Sequence, residues 1–215
     1  MNIRHIHLSF GGTNILNDIN ASITHGMVYT LTGGNGAGKT TLLNVLSGFL
    51  VPSEGEVLFK GKCINRLPAY KINRLGIGRT FQDLRLAMQL SVMENVLLAI
   101  SHKMFEHYTK EHYEKARDIL ARVGLDNKSN IRAREISYGQ QKLLTIACLL
   151  ANNAELLLID EPVAGIDKSN FAKIVNLINE LKSEGKTIIQ IEHHPDYIRA
   201  TNDILLRMEN GGIIC

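Results

Sequence analysis

Cysteine is scarce in this chain. Three residues in 215, Cys63, Cys148 and Cys215, share no close spacing. Neither a disulfide framework nor a zinc site is therefore indicated, and a reducing cytosol suits the sequence. Long hydrophobic runs are missing as well. The longest, "LLTIACLLA" from Leu143 to Ala151, is half of the roughly 20 residues that a membrane-spanning helix needs. The opening "MNIRHIHLSF" has no signal-like apolar core. A soluble protein is expected, with any membrane role coming through a partner. Charge of one sign is also in short supply. Lys and Arg number 24 against 21 Asp and Glu, a formal net charge of +3, too mild to argue for a nucleic-acid surface. Internal repeats and low-complexity segments are absent. What remains is 45% hydrophobic and 21% charged, an ordinary globular composition with length enough for one well-buried domain.

The first sixty-odd residues read as strands. Ile6, Leu8 and Phe10 alternate with polar residues, as does the stretch from Ile15 to Ile23. "MVYTLT", Met27 to Thr32, is the near-continuous apolar run of a strand buried on both faces. "EVLFKGKCI" completes this strand-rich part. From about Val92 to Leu150 apolar residues recur at three and four, the period of helices. The polar "DNKSNIRARE" separates these from a further helix over about Ser137 to Leu150. Then come "ELLLID" as strand, Lys168 to Lys182 as helix, "TIIQIE" as strand, a short helix after Pro195, and "DILLRM" as strand. Such alternation implies a parallel sheet. An α/β chain interrupted by a helical block is thus expected.

"GGNGAGKT", Gly33 to Thr40, fits G-x-x-x-x-G-K-[ST] at every fixed position, after a buried strand and before a helix beginning "TTLLNVLSGF". Small residues such as Gly36, Ala37 and Gly38 let backbone N–H groups turn inward on a phosphate, and the helix N-terminus adds a favourable field. Lys39 supplies positive charge for the β- and γ-phosphates, and the Thr40 hydroxyl is placed for Mg²⁺. Asn35 and Thr41 complete the expected nucleotide contacts. Farther on, "LLLIDE" is a buried strand ending in two carboxylates. Asp160 is the metal-side acid of this reading, and Glu161 could orient and polarise an attacking water. Guanine specificity would call for N-K-x-D. The nearest string, "NKSN" at Asn127 to Asn130, lacks the acid, so a GTPase is rejected.

"ISYGQQK", Ile136 to Lys142, resembles the signature motif of ATP-binding-cassette ATPases, commonly Leu-Ser-Gly-Gly-Gln. Other motifs of that family follow in order. Gln82 in "TFQD" stands at the Q-loop position, Asp167 in "AGID" resembles the D-loop, and His193 in "IEHHP" matches the histidine switch. Phe10, just before Gly11-Gly12, matches the aromatic A-loop. The resemblance runs from about residue 3 to 212. It implies an α/β P-loop NTPase fold with a mixed or parallel sheet core, an antiparallel β part and a helical subdomain. The core would take in about 1–83 and 151–215 of a single domain, with the helical subdomain at about 84–150. The cofactors implied are ATP and Mg²⁺, the metal held by Thr40, Gln82 and Asp160.

Ser137 begins a helix, so its hydroxyl and the Gly139 N–H form a second anion-binding helix end, with Gln140 beside it. By resemblance this end faces the γ-phosphate on a second ATPase subunit, the same chain or a paralogue, in a head-to-tail pair. Glu161 would activate water, and His193 and Ser137 would stabilise the transferring group. Phe10 would stack on adenine. The second histidine, His194, stands where many relatives carry Asp and receives no role. His102, His107 and His112 are spaced at five, which does not align on one helix face, so no metal site is expected there. His5 and His7 share a strand face toward solvent.

Tyr138 in place of the first signature glycine, "RTFQ" with the following "VMENV", and "EPVAGID" are similar to the ATPase subunits of branched-chain amino-acid importers. That resemblance implies transmembrane permease subunits, a solute-binding protein acting through them, no nucleic acid, and a cytoplasmic place on the inner face of the membrane. A lipid or lipopolysaccharide exporter shares every catalytic motif and is the alternative. A non-transport cassette would need coiled-coil insertions or a second phosphate loop, neither of which is present. The ending at "NGGIIC" falls where many relatives continue into a further helix.

Overall fold

A computed structural model describes residues 1–101 and 107–214. Of the residues singled out above, His102 and Cys215 lie outside them. Two sheets organise the chain. Strands β1 (Asn2–Phe10), β2 (Thr13–Ser22), β4 (Glu54–Phe59) and β5 (Lys62–Cys63) form an antiparallel sheet in the order β2-β1-β4-β5. Strands β3 (Val28–Thr32), β6 (Ile77–Arg79), β7 (Leu156–Asp160), β8 (Thr187–Ile191), β9 (Ile204–Glu209) and β10 (Gly212–Ile214) form the second, in the order β10-β9-β3-β8-β7-β6. Its pairings are parallel except for the β9–β10 hairpin.

Both faces of the second sheet are covered, which is why its strands read as unbroken apolar runs. Successive residues alternate between two cores. Tyr29, Leu31, Leu156, Leu158, Ile189 and Ile191 pack toward helix α1 (Lys39–Leu46) and the antiparallel sheet. Val28, Leu157, Ile159 and Ile188 pack the other way, against the helical layer. That layer comprises α3 (Val92–Ile100), α4 (Lys110–Arg122), α5 (Tyr138–Ala151), α6 (Lys168–Ser183) and α7 (Pro195–Thr201). In α6 the buried Ile174, Leu177, Ile178 and Leu181 repeat at three and four. The helical block α3–α5 therefore shares one continuous core with this face of the sheet.

Three elements escaped the sequence reading: α2 (Ala69–Arg74), β6 and β10. Each is short, and β6 is three residues whose partner β7 lies some eighty positions away. The strand alternation also fails in both β1 and β2: in β2 the buried Leu16 and Ile19 are three apart, across Asp18 with φ 50°. Phe10 is 50% exposed, unlike Ile6 and Leu8. The pairing of β1 is irregular between Arg4 and His7, where His5 takes φ 49°. His5 and His7 are not simply solvated: both approach Asp18 Oδ1, at 2.8 and 3.9 Å.

Candidate functional site

The C-terminal ends of β3, β7 and β8 lie level, since Leu31 pairs with Ile191 and Ile191 with Asp160. That edge is where parallel α/β sheets bind ligands. The glycine-rich turn leaves β3 and enters α1 at Lys39. Two of its glycines are required by space. A Cβ at Gly33, whose φ is +140°, would stand 2.1 Å from the Met208 carbonyl oxygen. At Gly38, φ +96°, it would stand 2.8 Å from the Ile15 carbonyl oxygen. Gly38 caps α1 without a side-chain hydrogen bond, so the first N–H groups of the helix face the turn. Lys39 arches over it, donating from Nζ to the carbonyls of Gly33 at 2.8 Å and Gly34 at 2.9 Å.

A cleft of about 380 Å³ opens on this turn, and its walls bring together Lys39, Thr40, Thr41, Gln82, Glu161 and His193. Asn35, Gly36, Ala37 and Gly38 line the same cleft. Residues from five separate stretches of chain meet there. Gln82 Nε2 stands 3.5 Å from Glu161 Oε2, close but long for a hydrogen bond. Glu161 itself has φ 47°, a left-handed conformation costly for a side chain with a Cβ. Its N–H donates to Ile191 at 3.0 Å, and its carbonyl accepts from Lys142 Nζ at 2.6 Å.

Asp160, the last residue of β7 and next to Glu161, is buried. Burial pushes its carboxyl above the usual range, against the nearby Arg79. Its N–H donates to Thr80 Oγ1, while Oδ2 has no hydrogen-bond partner among the described residues. A buried carboxylate oxygen with a free lone pair, next to the exposed Thr40 hydroxyl, is the oxygen donor set that Mg²⁺ takes. The residues present therefore fit the ion.

Sequence reading missed the supports of this site. Arg79 joins α1 to Asp160: it donates to Asn44 Oδ1 at 2.6 Å and Ser47 Oγ at 2.9 Å, with Asp160 Oδ2 3.9 Å away. Burial pulls its pKa down to about 10. Glu192, buried, accepts from the N–H groups of Val163, His193 and His194 at 3.1, 2.7 and 3.0 Å. It thus braces the two loops that carry Glu161 and His193. An acid in "IEHHP" was visible; that it turns back on its own loop was not.

Other expected residues lie outside the cleft. Ser137 accepts from Gln140 N–H at 3.4 Å and Gln140 Oε1 accepts from Ser137 N–H at 3.1 Å, a capping box at the start of α5. Asp167 caps α6 through the N–H groups of Ser169 and Asn170, and Asn170 Nδ2 also bonds it. Gly139 abuts Asn170. Phe10, at the far end of β1, presents its ring to solvent. The His194 ring lies against Phe171, with centroids 4.9 Å apart and planes tilted by 53°.

Fold and cleft together define a nucleoside-triphosphate-binding α/β protein of the P-loop class. Its family is narrower than that. A family model described as "ABC transporter" matches residues 16–164. The probable branched-chain amino acid transport ATP-binding protein LivG of Archaeoglobus fulgidus is 36% identical over 95% of this chain and 84% of its own. A crystal structure of a nucleotide-free ATP-binding cassette from an ABC transporter superposes with TM-score 0.92 at 33% identity, covering all of this chain and 89% of the other. The cassette MJ0796, solved as a dimer in a post-hydrolysis state with ADP and Pi, gives 0.88 at 26% identity over 100% and 96%. The chain belongs to the ABC transporter family, as one of its ATPase cassettes.

Proposed function

We propose that this chain is the ATP-hydrolysing subunit of an importer for branched-chain or related amino acids, working as a head-to-tail pair beneath a separate permease. The observation that carries the chemistry is the single cleft into which Lys39, Thr40, Gln82, Glu161 and His193 converge. Lys39 and the N–H groups at the start of α1 bind the phosphates of ATP. Thr40, Asp160 and Gln82 would hold Mg²⁺, which would offset the charge of the phosphates. Glu161 takes the proton of the attacking water, and Gln82 orients that water beside it. His193 donates to the γ-phosphoryl oxygens as charge builds there. Phe10, half exposed rather than buried, is free to stack on adenine.

Ser137, Gly139 and Asp167 lie away from this cleft in their own chain, which fits contact with the nucleotide of a second copy. The dimeric relative with ADP and Pi supports that arrangement. The amino-acid substrate class is supported by the LivG relative. Residues of about 84–150 form the helical subdomain of this reading, set on a core of about 1–83 and 151–215. Between them runs a groove of about 460 Å³ with Phe49, Tyr70, Phe81 and Leu98 on its walls. Exposed apolar side chains of this size suit a partner: Phe49 is 47%, Tyr70 58% and Leu98 54% exposed. The permease is that partner. No helix among the described residues is long and apolar enough to cross a membrane, and the chain is held at the cytoplasmic face through the permease.

Glu161→Gln tests the pair: with ATP the variant should elute as a dimer on gel filtration. A variant that stays wholly monomeric refutes the head-to-tail arrangement. In the intact membrane complex, a leucine-loaded solute-binding protein should stimulate ATP hydrolysis. Stimulation by a lipid, with indifference to that protein, would instead make the complex an exporter.

A further inference from the structure

Lys142 is a charged residue of the signature segment that neither phosphate binding nor helix capping uses. It is only 5% exposed, an unusual place for an ammonium unless it is partnered. Its Nζ donates to the Glu161 carbonyl at 2.6 Å and lies 5.5 Å from the centroid of the Tyr138 ring, one helical turn back. The acceptor belongs to the one cleft carboxylate whose backbone is left-handed. Such a conformation persists only where its surroundings over-determine it. Here the N–H donates to Ile191 at 3.0 Å, and the carbonyl accepts from Lys142 at 2.6 Å and, at the longer 3.4 Å, from the Ala164 N–H.

The first turn of α5 also packs closely on Gly165 and on Asn170 of α6. A Cβ at Gly165 would lie 3.5 Å from Tyr138 Cε1, and one at Gly139 would lie 2.6 Å from Asn170 Nδ2. Asn170 is itself bonded to Asp167. The start of α5 is thus bonded to residues 161–170 through Lys142 and packed against them at Tyr138 and Gly139.

We propose that Lys142 is a positioning residue for ATP hydrolysis: it fixes the Glu161 peptide, and through it α5 connects the phosphate site that Ser137 completes on a second copy to the Glu161 of its own chain. The second half of this statement rests on the head-to-tail arrangement above; the first half does not. Movement of the Ser137 end toward a bound γ-phosphate shifts Lys142, and Lys142 shifts the plane of the Glu161 peptide. The two sites of the pair are then coupled through each α5. A staple that served stability alone would tie down the loop without setting turnover.

The test uses the full chain with Lys142→Met, which keeps the stem, and Lys142→Arg, which keeps charge and donors. Lys142→Met should lower kcat by about 10- to 100-fold, the range in which small misplacements of a reacting group fall. The KM for MgATP and the Kd for a fluorescent nucleotide should stay within about twofold, because no phosphate contact is touched. Lys142→Arg should recover most of the loss. The Hill coefficient for ATP should fall toward 1 in Lys142→Met. Wild-type kcat in Lys142→Met, a parallel loss of nucleotide affinity, or equal loss in Lys142→Arg would each overturn the positioning role. Should Lys142→Met not fold, Tyr138→Ala serves, since that ring is 46% exposed. It should reduce kcat and the Hill coefficient with KM kept, and an unchanged kcat there refutes the linkage. If Glu161→Gln with ATP is monomeric and the wild-type Hill coefficient is 1, the dimer reading fails while the kcat comparison still judges Lys142.

Discussion

Arg79→Met probes how the cleft is held. Methionine keeps an unbranched stem and removes the guanidinium. The two hydrogen bonds to Asn44 and Ser47, at 2.6 and 2.9 Å, are together worth about 1–3 kcal/mol. The attraction to Asp160 also goes. At 3.9 Å and an effective dielectric of about 20, 332/(20 × 3.9) gives about 4 kcal/mol. Against this, the cost of burying the guanidinium, the cause of its lowered pKa, is relieved. Side chains only 4% and 2% exposed place the pair among those that lose about 3–5 kcal/mol when one partner is stripped. With the relieved burial counted, about 3 kcal/mol is expected, or a melting temperature lower by about 6–12 °C for a chain of this length. The decisive comparison is rescue. Adding Asp160→Asn removes the stranded carboxylate, so the double variant should be more stable than Arg79→Met alone by about 2 kcal/mol. Urea unfolding in EDTA measures this, followed by circular dichroism because the chain has no tryptophan. A double variant less stable than the single one would refute the reasoning.

Phe10→Ala should weaken nucleotide binding by about 1–2 kcal/mol, the scale of one stacked base, with no change in melting temperature; unchanged affinity removes Phe10 from the site. Gly33→Ala should abolish nucleotide binding by isothermal titration, because its Cβ would stand 2.1 Å from the Met208 carbonyl oxygen, and retained binding would mean the turn can move aside. Glu192→Gln leaves one oxygen to serve three N–H groups and should lower kcat about 10-fold or more while nucleotide affinity holds. Bonds from the Ser91 N–H and then its hydroxyl keep Glu94 below the usual carboxylate range. The folded chain therefore binds that proton less readily than the unfolded one, and the stabilisation is present above the unfolded value of about 4.3 and lost as pH falls through the lower folded one. Glu94→Gln should accordingly lower the melting temperature at neutral pH and not near pH 3; an equal drop at both refutes the assignment.

What the sequence disclosed and what it hid divide along physical lines. The phosphate turn was legible because chemistry there constrains residue type and spacing at once: Gly33 and Gly38 for lack of room, Lys39 for charge, Thr40 for its hydroxyl. Asp160 and Glu161 stood out because two acids ending an apolar strand, common enough alone, follow a complete phosphate loop in the same chain. The helical block showed through its period, and its first and last helices begin at Ser91 and Ser137, each with a residue three later closing the cap. Strand β6 stayed hidden because three residues carry no pattern, and its identity comes from pairing with the distant β7. Arg79 and Lys142 were hidden for the opposite reason to the glycines. A buried cation announces nothing in sequence, since its partners are an oxygen on another element and a peptide carbonyl. Phe10 misled as an alternating strand residue because the pairing of β1 with β2 shifts register between Leu8 and Ser9.

The supports of the cleft have a consequence for how stability and turnover relate. The sheet and its two cores are built from apolar side chains, and a cavity there costs about 2–5 kcal/mol. The loop that carries Glu161 places Val163 and Ile166 in or against that core. It and the loop that carries His193 are also held by Lys142 and Glu192 through bonds to backbone carbonyl and N–H groups, each worth about 1–3 kcal/mol. Loosening one of these leaves most of the folding free energy in place while freeing a strained peptide at Glu161. Core substitutions such as Leu177→Ala should therefore lower melting temperature with kcat per folded molecule kept, whereas substitutions at Glu192 or Lys142 should lower kcat with a smaller drop in melting temperature. The separation follows from where the polar supports sit, at the rim of a sheet whose interior they do not share.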